Sequence, residues 1–345
     1  MMQQWQNFLQ AQDAIIEAGQ VVSFGSKKDE SKSALSSSNV IADFSHFAVI
    51  QVSGSEAQTF LQGQLTNDIR QVLPSKAQLS AWCSPKGRML TSFYICQRHD
   101  DYYLFLPKDS MEATFKRLKM FILRSDVQLK DVSDELICIG IAGDDSSELL
   151  QKLELTIPEQ EPFAATLHDG LTVINLPTGS SSRYWIIHDD IELMQTFWTT
   201  LAESAQAVGR DAWELLDILA AVPTINSKLS EEFVPQMVNW QALGGLNFKK
   251  GCYTGQEVVA RMQYLGSLKR RMYLAKLDAD KAPEIGEKLR VKDENAGQIV
   301  NLQPHPDGGY ILLAVLKIAL EKESIHCESM PDKTLQIQSL PYSLE

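Results

Sequence analysis

Apolar positions along this 345-residue chain follow two periods, one typical of strands and one typical of helices. Strand-like runs include FAVIQVSG (47–54), DYYLFLP (101–107), ELICIGIAG (135–143) and RYWIIHD (183–189). Helical spacing appears in KDSMEATFKRLKMFIL (108–123) and IELMQTFWTTLAESAQAV (191–208). The two kinds of run alternate irregularly, without a repeating βαβ unit. This order predicts an α+β fold in which helices cover one face of a sheet.

The pattern changes from about Met272 onward, where strand-like runs are separated by Pro, Gly, Asp and Asn. Such short strands with turn residues between them are typical of small all-β units. We therefore expect a C-terminal β-barrel. Earlier in the chain, Ser84-Pro85-Lys86-Gly87 lies between two strand-like runs and predicts a hairpin turn.

The N-terminus has its own pattern. Trp5, Phe8, Leu9, Ile15 and Ile16 fall on one face of a predicted helix. The stretch has neither a basic start nor an unbroken apolar core, so it is not expected to be a secretory signal. Residues 25–39 are rich in serine and charge, which predicts a flexible linker.

Composition narrows the function classes. No apolar run is long enough to span a bilayer. Five scattered cysteines without a CxxC motif favour free thiols in a reducing compartment and offer no metal cluster, so a cytoplasmic protein without a metal site is expected. The net charge of −12 argues against direct nucleic-acid binding. Between Lys249 and Arg290, however, there are ten Lys/Arg and only five Asp/Glu. This local excess of positive charge suits an anionic ligand or simply a solvated surface.

The stretch NFKKGCYTGQEVVARMQYLG (247–266) holds the candidate chemistry. Thr254 and Glu257 have the spacing of a capping box, so a helix is expected to start at Thr254. Cys252 would then lie near the positive end of the helix dipole, where the thiolate is favoured over the thiol. Gly251 and Gly255 allow a sharp turn or the close approach of a ligand. A small residue that merely fits a turn also explains Cys252. The spacing alone favours this structural interpretation, but the residues leave both interpretations open.

The same stretch, extended to LNFKKGCYTGQEVVARMQYLGSLKRRMY (246–273) and preceded by FVPQMVNWQALGG (233–245), closely resembles the signature of the YgfZ family of folate-binding proteins. The closing LPYSLE (340–345) resembles the end of bacterial members. The resemblance begins near Ile41. It implies the fold of the glycine cleavage T-protein: a three-domain ring, with two α+β sheet domains and a C-terminal β-barrel. The expected division is a helix and flexible linker at 1–39, a first α+β domain at 40–133 with 215–265, a second at 134–214, and the barrel at 266–345.

The resemblance also implies a function. Members are folate-binding factors that support assembly or repair of iron–sulfur enzymes and, through them, tRNA modification. Cys252 takes the position of the family's working thiol, while Trp213 and Phe47 take aromatic positions associated with a bound tetrahydrofolate or derivative. An accessory factor is favoured over a stand-alone catalyst, with folate and iron–sulfur enzymes as partners and no membrane. The alternative is a tetrahydrofolate-dependent aminomethyltransferase-like enzyme.

Two further sets of residues follow from the motif. Supporting positions are Lys250, Gly251, Tyr253, Gly255, Gln256 and Glu257, and candidate contacts for the anionic folate tail are Lys249, Arg261, Lys269 and Arg270. One departure concerns folate. Leu219 and Ala221 stand where aminomethyltransferases have a glutamate and a glycine, and leucine cannot accept hydrogen bonds from a pterin.

Overall fold

The structure is a computed structural model that describes residues 1–36, 38–179 and 181–344. Its helices are Met2–Gln10 (α1), Lys27–Leu35 (α2), Ala57–Gln64 (α3), Met111–Ile122 (α4), Ser146–Lys152 (α5), Ile191–Ala202 (α6), Arg210–Leu219 (α7) and Gln256–Tyr264 (α8). Within these described ranges, no helix combines the length and apolar character that crossing a membrane requires.

The strands in the first part of the chain are Ile15–Glu17 (β1), Gln20–Ser23 (β2), Val40–Asp43 (β3), Phe47–Ser53 (β4), Gln78–Cys83 (β5), Met89–Arg98 (β6), Asp101–Pro107 (β7) and Gln128–Asp131 (β8). Those of the second part are Ile137–Ala142 (β9), Ala165–His168 (β10), Leu171–Asn175 (β11), Arg183–His188 (β12), Gln206–Val208 (β13), Arg270–Leu277 (β14), Lys288–Val291 (β15), Glu294–Pro304 (β16), Tyr310–Lys317 (β17), His326–Cys327 (β18) and Met330–Gln338 (β19).

The chain divides into two compact units built from interleaved segments. Unit 1 comprises Met1–Ala57, Arg70–Gln78 and Tyr94–Leu216, and unit 2 comprises Gln58–Ile69, Leu79–Phe93 and the chain from Asp217 onward. The domain boundaries predicted at 39, 133, 214 and 265 stay predictions. Glu345, where the predicted barrel segment ends, lies outside the described residues.

Unit 1 contains a six-stranded sheet in the order β10-β11-β12-β9-β3-β13. Its pairs are antiparallel except for β13, which runs parallel to β3. The α6 helix begins after Asp190, whose side chain accepts from the amides of Glu192 and Leu193. Its apolar face, including Met194 and Trp198, packs into the core of this unit. The expected α+β arrangement is confirmed.

A second sheet has the order β5-β6-β7-β4-β8, and β6 passes from unit 2 into unit 1 after Phe93. The predicted hairpin turn joins β5 to β6. The Gly87 amide donates to the Ser84 carbonyl at 2.8 Å, and Gly87 has a φ of 70°. In unit 2, the strands β14-β17-β16-β15-β18-β19 close the expected barrel around a hydrophobic core.

The N-terminal prediction is correct for the helix but wrong for Ile15 and Ile16. The α1 helix stops at Gln10, and Asp13 has a φ of 67°, which breaks the helical path. Ile15 and Ile16 instead lie in β1, which forms a hairpin with β2. Helix α1 docks on its own unit, because Trp5 is fully buried and its indole N–H donates to Asp43 at 2.7 Å.

The prediction of a flexible linker is wrong for 27–35, which form α2. Ser26 caps the helix by accepting from the Asp29 amide at 3.3 Å. Glu30 is only 2% exposed, and its carboxylate accepts from the Ser23 hydroxyl and the amides of Phe24 and Gly209. A buried carboxylate with three donors has a stable place in a fold, although in sequence it looks like one more solvated charge.

Candidate thiol site

The loop that carries the cysteine motif is held by a short segment of unit 2, Leu65–Asn67. The Thr66 hydroxyl donates to the Gly245 carbonyl at 2.8 Å, and the Asn67 amide group donates to the Gly244 carbonyl at 2.6 Å. The backbone N–H of Asn247 donates in turn to the Thr66 carbonyl at 3.1 Å. We call this contact between Leu65–Asn67 and the motif loop the clamp.

Lys250 completes the clamp. Its side chain is 5% exposed, and its ammonium donates to the carbonyl oxygens of Leu65 and Asn67, the latter at 2.8 Å. The ammonium also lies 5.1 Å from the centre of the Tyr253 ring, a cation–π distance. Burial raises the pKa of the Tyr253 hydroxyl, which therefore stays protonated. Lys250 thus positions the loop, and its charge is directed at backbone carbonyls.

The predicted capping box is wrong. Helix α8 starts at Gln256 with Gly255 in the cap position, and no side chain within the described part of the chain bonds that cap. Gly255 has a φ of 82°, and a Cβ there would lie 2.4 Å from the Ser84 carbonyl oxygen. The close packing of the hairpin turn on the start of α8 therefore requires glycine. The start of the helix is set by this packing and not by a capping box of Thr254 and Glu257.

Cys252 lies in this loop with its side chain exposed, whereas Cys83, Cys96, Cys138 and Cys327 are buried. The chain after it turns back at once, since the Gln256 amide donates to the Tyr253 carbonyl at 3.1 Å. Gly251 before it does not have a positive φ, and apart from its two chain neighbours no described residue has an atom within 4 Å of the place a Cβ would take. The thiol therefore stands on a fixed loop beside open space.

The predicted anion contacts divide by environment. Lys249, Arg261 and Lys269 are exposed and Arg270 is half-buried. Lys86 is also exposed, in the hairpin turn that packs against Gly255. Arg88, two residues further, instead donates to the carbonyls of Glu231 and Glu232.

The two predicted folate-binding aromatics belong to unit 1, whereas Cys252 belongs to unit 2. Phe44 joins the aromatics: its ring centre lies 4.9 Å from that of Trp213 and 5.9 Å from that of Phe47. Phe47 is half-buried, but Trp213 has no exposed surface, because it packs between Phe44 and the backbone at Gly140.

His46 was missed by the sequence reasoning, although the run DFSHF places it among aromatic residues. Its ring centre lies 5.0 Å from that of Phe44 and 4.8 Å from that of Phe47. Burial, helped by the nearby Arg210 charge, lowers the pKa of His46 to about 3, so the imidazole is neutral at physiological pH. Its Nε2 atom and the indole nitrogens of Trp185 and Trp213 are buried without hydrogen-bond partners among the described residues.

Leu219, at the place of the aminomethyltransferase glutamate, is half-buried at the end of α7. Ala221 keeps the conformation typical of the glycine it replaces, with a φ of 50°. Across the described ranges, no cluster of three or more His, Cys, Asp and Glu side chains is placed to hold a metal ion.

Comparison with known proteins agrees with the motif. A protein named tRNA-modifying protein YgfZ from Enterobacter sp. (strain 638) is 32% identical over 303 residues, which cover 87% of this chain and 92% of that protein. Its namesake from Colwellia psychrerythraea is 31% identical over 314 residues, covering 88% and 93%. The chain belongs to the YgfZ family. The expectation drawn from residues 246–273 is thereby confirmed.

Two further comparisons, with a domain family and with a solved structure, concern the fold. Residues 13–176 match the GCVT N-terminal domain family. The glycine cleavage system aminomethyltransferase T from Bartonella henselae superposes with a TM-score of 0.72 at 16% identity, covering 97% of this chain and 96% of that one. At this identity the likeness shows the fold alone, and the expected T-protein-like fold is confirmed.

Proposed function

We propose that this chain is a folate-binding accessory protein that supports iron–sulfur enzymes and thereby tRNA modification, with Cys252 as its working thiol. The observation that carries the proposal is that Cys252 is exposed on a clamped loop, whereas the other four cysteines are buried. The clamp fixes the loop that presents this thiol. The relatives named tRNA-modifying protein support a role connected with tRNA modification.

The residues present fit a folate. Phe47 offers a half-buried ring for stacking on a pterin or aminobenzoyl group. The buried indole nitrogens and His46 Nε2 supply a donor and an acceptor within the same aromatic cluster. The anion contacts expected at Lys249, Arg261, Lys269 and Arg270 belong to unit 2 and stay a prediction. A bound tetrahydrofolate would supply one-carbon or redox chemistry, and the chain's own part is to bind and orient it.

The test has two arms. The first is a calorimetric titration of tetrahydrofolate, under reducing conditions, into the wild type and Phe47→Leu, which keeps apolar volume but loses the ring. Saturable wild-type binding that weakens in the variant is expected. Trp213→Ala is a poorer variant, because deleting a fully buried indole costs about 3–5 kcal/mol of stability.

The second arm is rescue of tRNA modification in cells that lack their own family member. Cys252→Ser should fold normally, because the two side chains have similar size, and should fail to restore the modification. Full rescue by Cys252→Ser would make the cysteine structural. Absence of folate binding in the wild type would remove the folate part while leaving the thiol part open to its own test.

A true aminomethyltransferase is the competing function, favoured by the fold alone. Leu219 counts against it, since its side chain cannot accept a hydrogen bond from the pterin. A glycine cleavage assay with a lipoyl carrier protein separates the two functions, and turnover would replace our proposal.

A further inference from the structure

A mixed basic and aromatic surface surrounds helix α8. The Tyr264 side chain is 66% exposed, and Phe248 packs edge-on against it with ring centres 6.1 Å apart. Val258 on the same helix and Leu265 directly after it are also exposed. Large apolar side chains left in water at one place usually mark a binding surface.

Basic residues lie close in sequence to this aromatic pair, or beside the helix that carries Tyr264. Lys249 directly follows Phe248, Arg261 lies one helical turn before Tyr264 and Leu265, and Lys269 follows the helix. Lys86 joins them, because its hairpin turn contacts the first turn of α8: a Cβ on Gly87 would lie 2.8 Å from Val258 Cβ. We call Lys86, Phe248, Lys249, Arg261, Tyr264 and Lys269 the α8 face. Glu257 is an acidic side chain on the same helix.

We infer that the α8 face binds a single-stranded segment of RNA, a contact that goes beyond the proposed folate role. Proteins that hold single strands combine basic residues for phosphates with exposed aromatic rings on which bases stack. Lysine is depleted in protein–protein interfaces, whereas three of the four cations here are lysines. The composition of the face therefore matches a polyanion with flat bases better than an acidic protein.

Whole-chain charge led to the opposite expectation. The sequence sums to −12, but that sum hides the local excess of ten Lys/Arg over five Asp/Glu between residues 249 and 290. Repulsion from the acidic remainder would confine a nucleic acid to this face and keep non-specific binding weak. The face also flanks the loop of Cys252, so a bound strand would lie near the exposed thiol.

The experiment measures fluorescence anisotropy of a short labelled RNA, single-stranded and as its duplex, with the full chain in the absence of folate. Wild type should prefer the single strand and weaken steeply with salt. Arg261→Gln with Lys269→Gln should lower the slope of log affinity against log salt by about 1.4, since each single-strand phosphate contact contributes roughly 0.7. Tyr264→Ala should weaken binding by about tenfold or more through lost stacking, and Tyr264→Phe should retain it.

The matched control is Lys116→Gln with Lys119→Gln, which removes two exposed cations from α4 in unit 1. It should bind RNA like the wild type. Three results would overturn the inference: an equal loss of RNA affinity in both double variants, equal affinity for the duplex and the single strand, or unchanged affinity in Tyr264→Ala. Binding of an acidic protein at the α8 face without any binding of RNA would overturn it as well. Because folate is absent, failure here is distinct from failure of the proposed function.

Discussion

At the scale of single residues, solvent access separates the cysteines into two chemical groups. Burial raises the pKa of Cys96 and of Cys327 to about 12, and it raises the pKa values of Cys83 and Cys138 as well. These four thiols are therefore neutral and shielded. Cys252 is exposed, so reagents and partners can reach it.

Thiol labelling of the native chain near neutral pH should therefore modify one cysteine, and unfolding should release all five. Cys252→Ser should abolish native labelling and leave four reactive thiols after unfolding. Mass spectrometry of the labelled chain measures both. Rapid native labelling at Cys96 or Cys327 would contradict the burial that separates the groups.

The two glycines beside Cys252 should differ sharply on mutation. Gly255→Ala places a Cβ 2.4 Å from the Ser84 oxygen at a φ of 82°, so we expect at least about 2 kcal/mol of lost stability. Gly251→Ala meets open space and should change stability by less than about 0.5 kcal/mol. Denaturant unfolding measures both, and similar costs for the two would show that the turn is not under this constraint.

At the scale of elements, the clamp joins a loop to a segment far away in sequence. Its central contact is an ammonium that satisfies two backbone carbonyls, and these carbonyls lie where water has little access. Removal of such a donor leaves buried acceptors unpaired, which costs more than the hydrogen bonds themselves contribute. The clamp should therefore respond to a change at Lys250 far more than to a change at its neighbour.

Lys250→Met, which keeps the stem and removes the charge, should cost about 2 kcal/mol or more. Amide hydrogen exchange at Asn247, whose N–H donates to Thr66, should accelerate as the loop loosens. Lys249→Met removes an exposed charge and should change neither quantity appreciably. Unaltered exchange at Asn247 in Lys250→Met would argue that the other clamp contacts suffice.

Elements with long periodic runs were predictable from sequence, and those decided by single contacts were not. The strands around FAVIQVSG and the barrel strands follow from period-2 burial. Helix α2 depended on Glu30 finding three donors, one of them the Gly209 amide far along the chain. The true start of α8 depended on a carbonyl of Ser84, and local capping rules cannot detect that contact.

At the scale of the whole molecule, the site could be predicted only in part for a similar reason. The sequence pointed to Cys252, and resemblance pointed to Phe47 and Trp213. Neither revealed Leu65–Asn67 as the holder of the loop, because that contact joins segments about half the chain apart. Net charge did not reveal the α8 face either, because a sum over all residues does not show where the charges lie in the fold.

The free energy of unfolding of the whole fold should depend on pH in part through His46. The folded imidazole has a pKa lowered to about 3, whereas in the unfolded chain it titrates near its ordinary value of 6.5. As pH falls below about 6.5, His46 becomes protonated in the unfolded state but stays neutral in the folded state. Stability from this group is complete above that pH and is lost progressively toward pH 3.

At about pH 5 the loss from His46 should be about 2 kcal/mol relative to neutral pH. His46→Phe, which fits between Phe44 and Phe47, should show a smaller fall in melting temperature between about pH 7.5 and about pH 5 than the wild type. Comparing the pH dependence, and not the absolute stability, removes the cost of the substitution itself. An unchanged pH dependence in the variant would place the titration elsewhere.

The clamp also has a consequence for how the chain matures on the ribosome. Lys250 follows Leu65 by 185 residues, and at about 5–20 residues per second its codon is read roughly 10–40 s after that of Leu65. Throughout that interval the carbonyls of Leu65 and Asn67 lack their eventual donor. The clamp can therefore form only after most of the chain has been synthesised, and the segment around Leu65 must wait for that late partner.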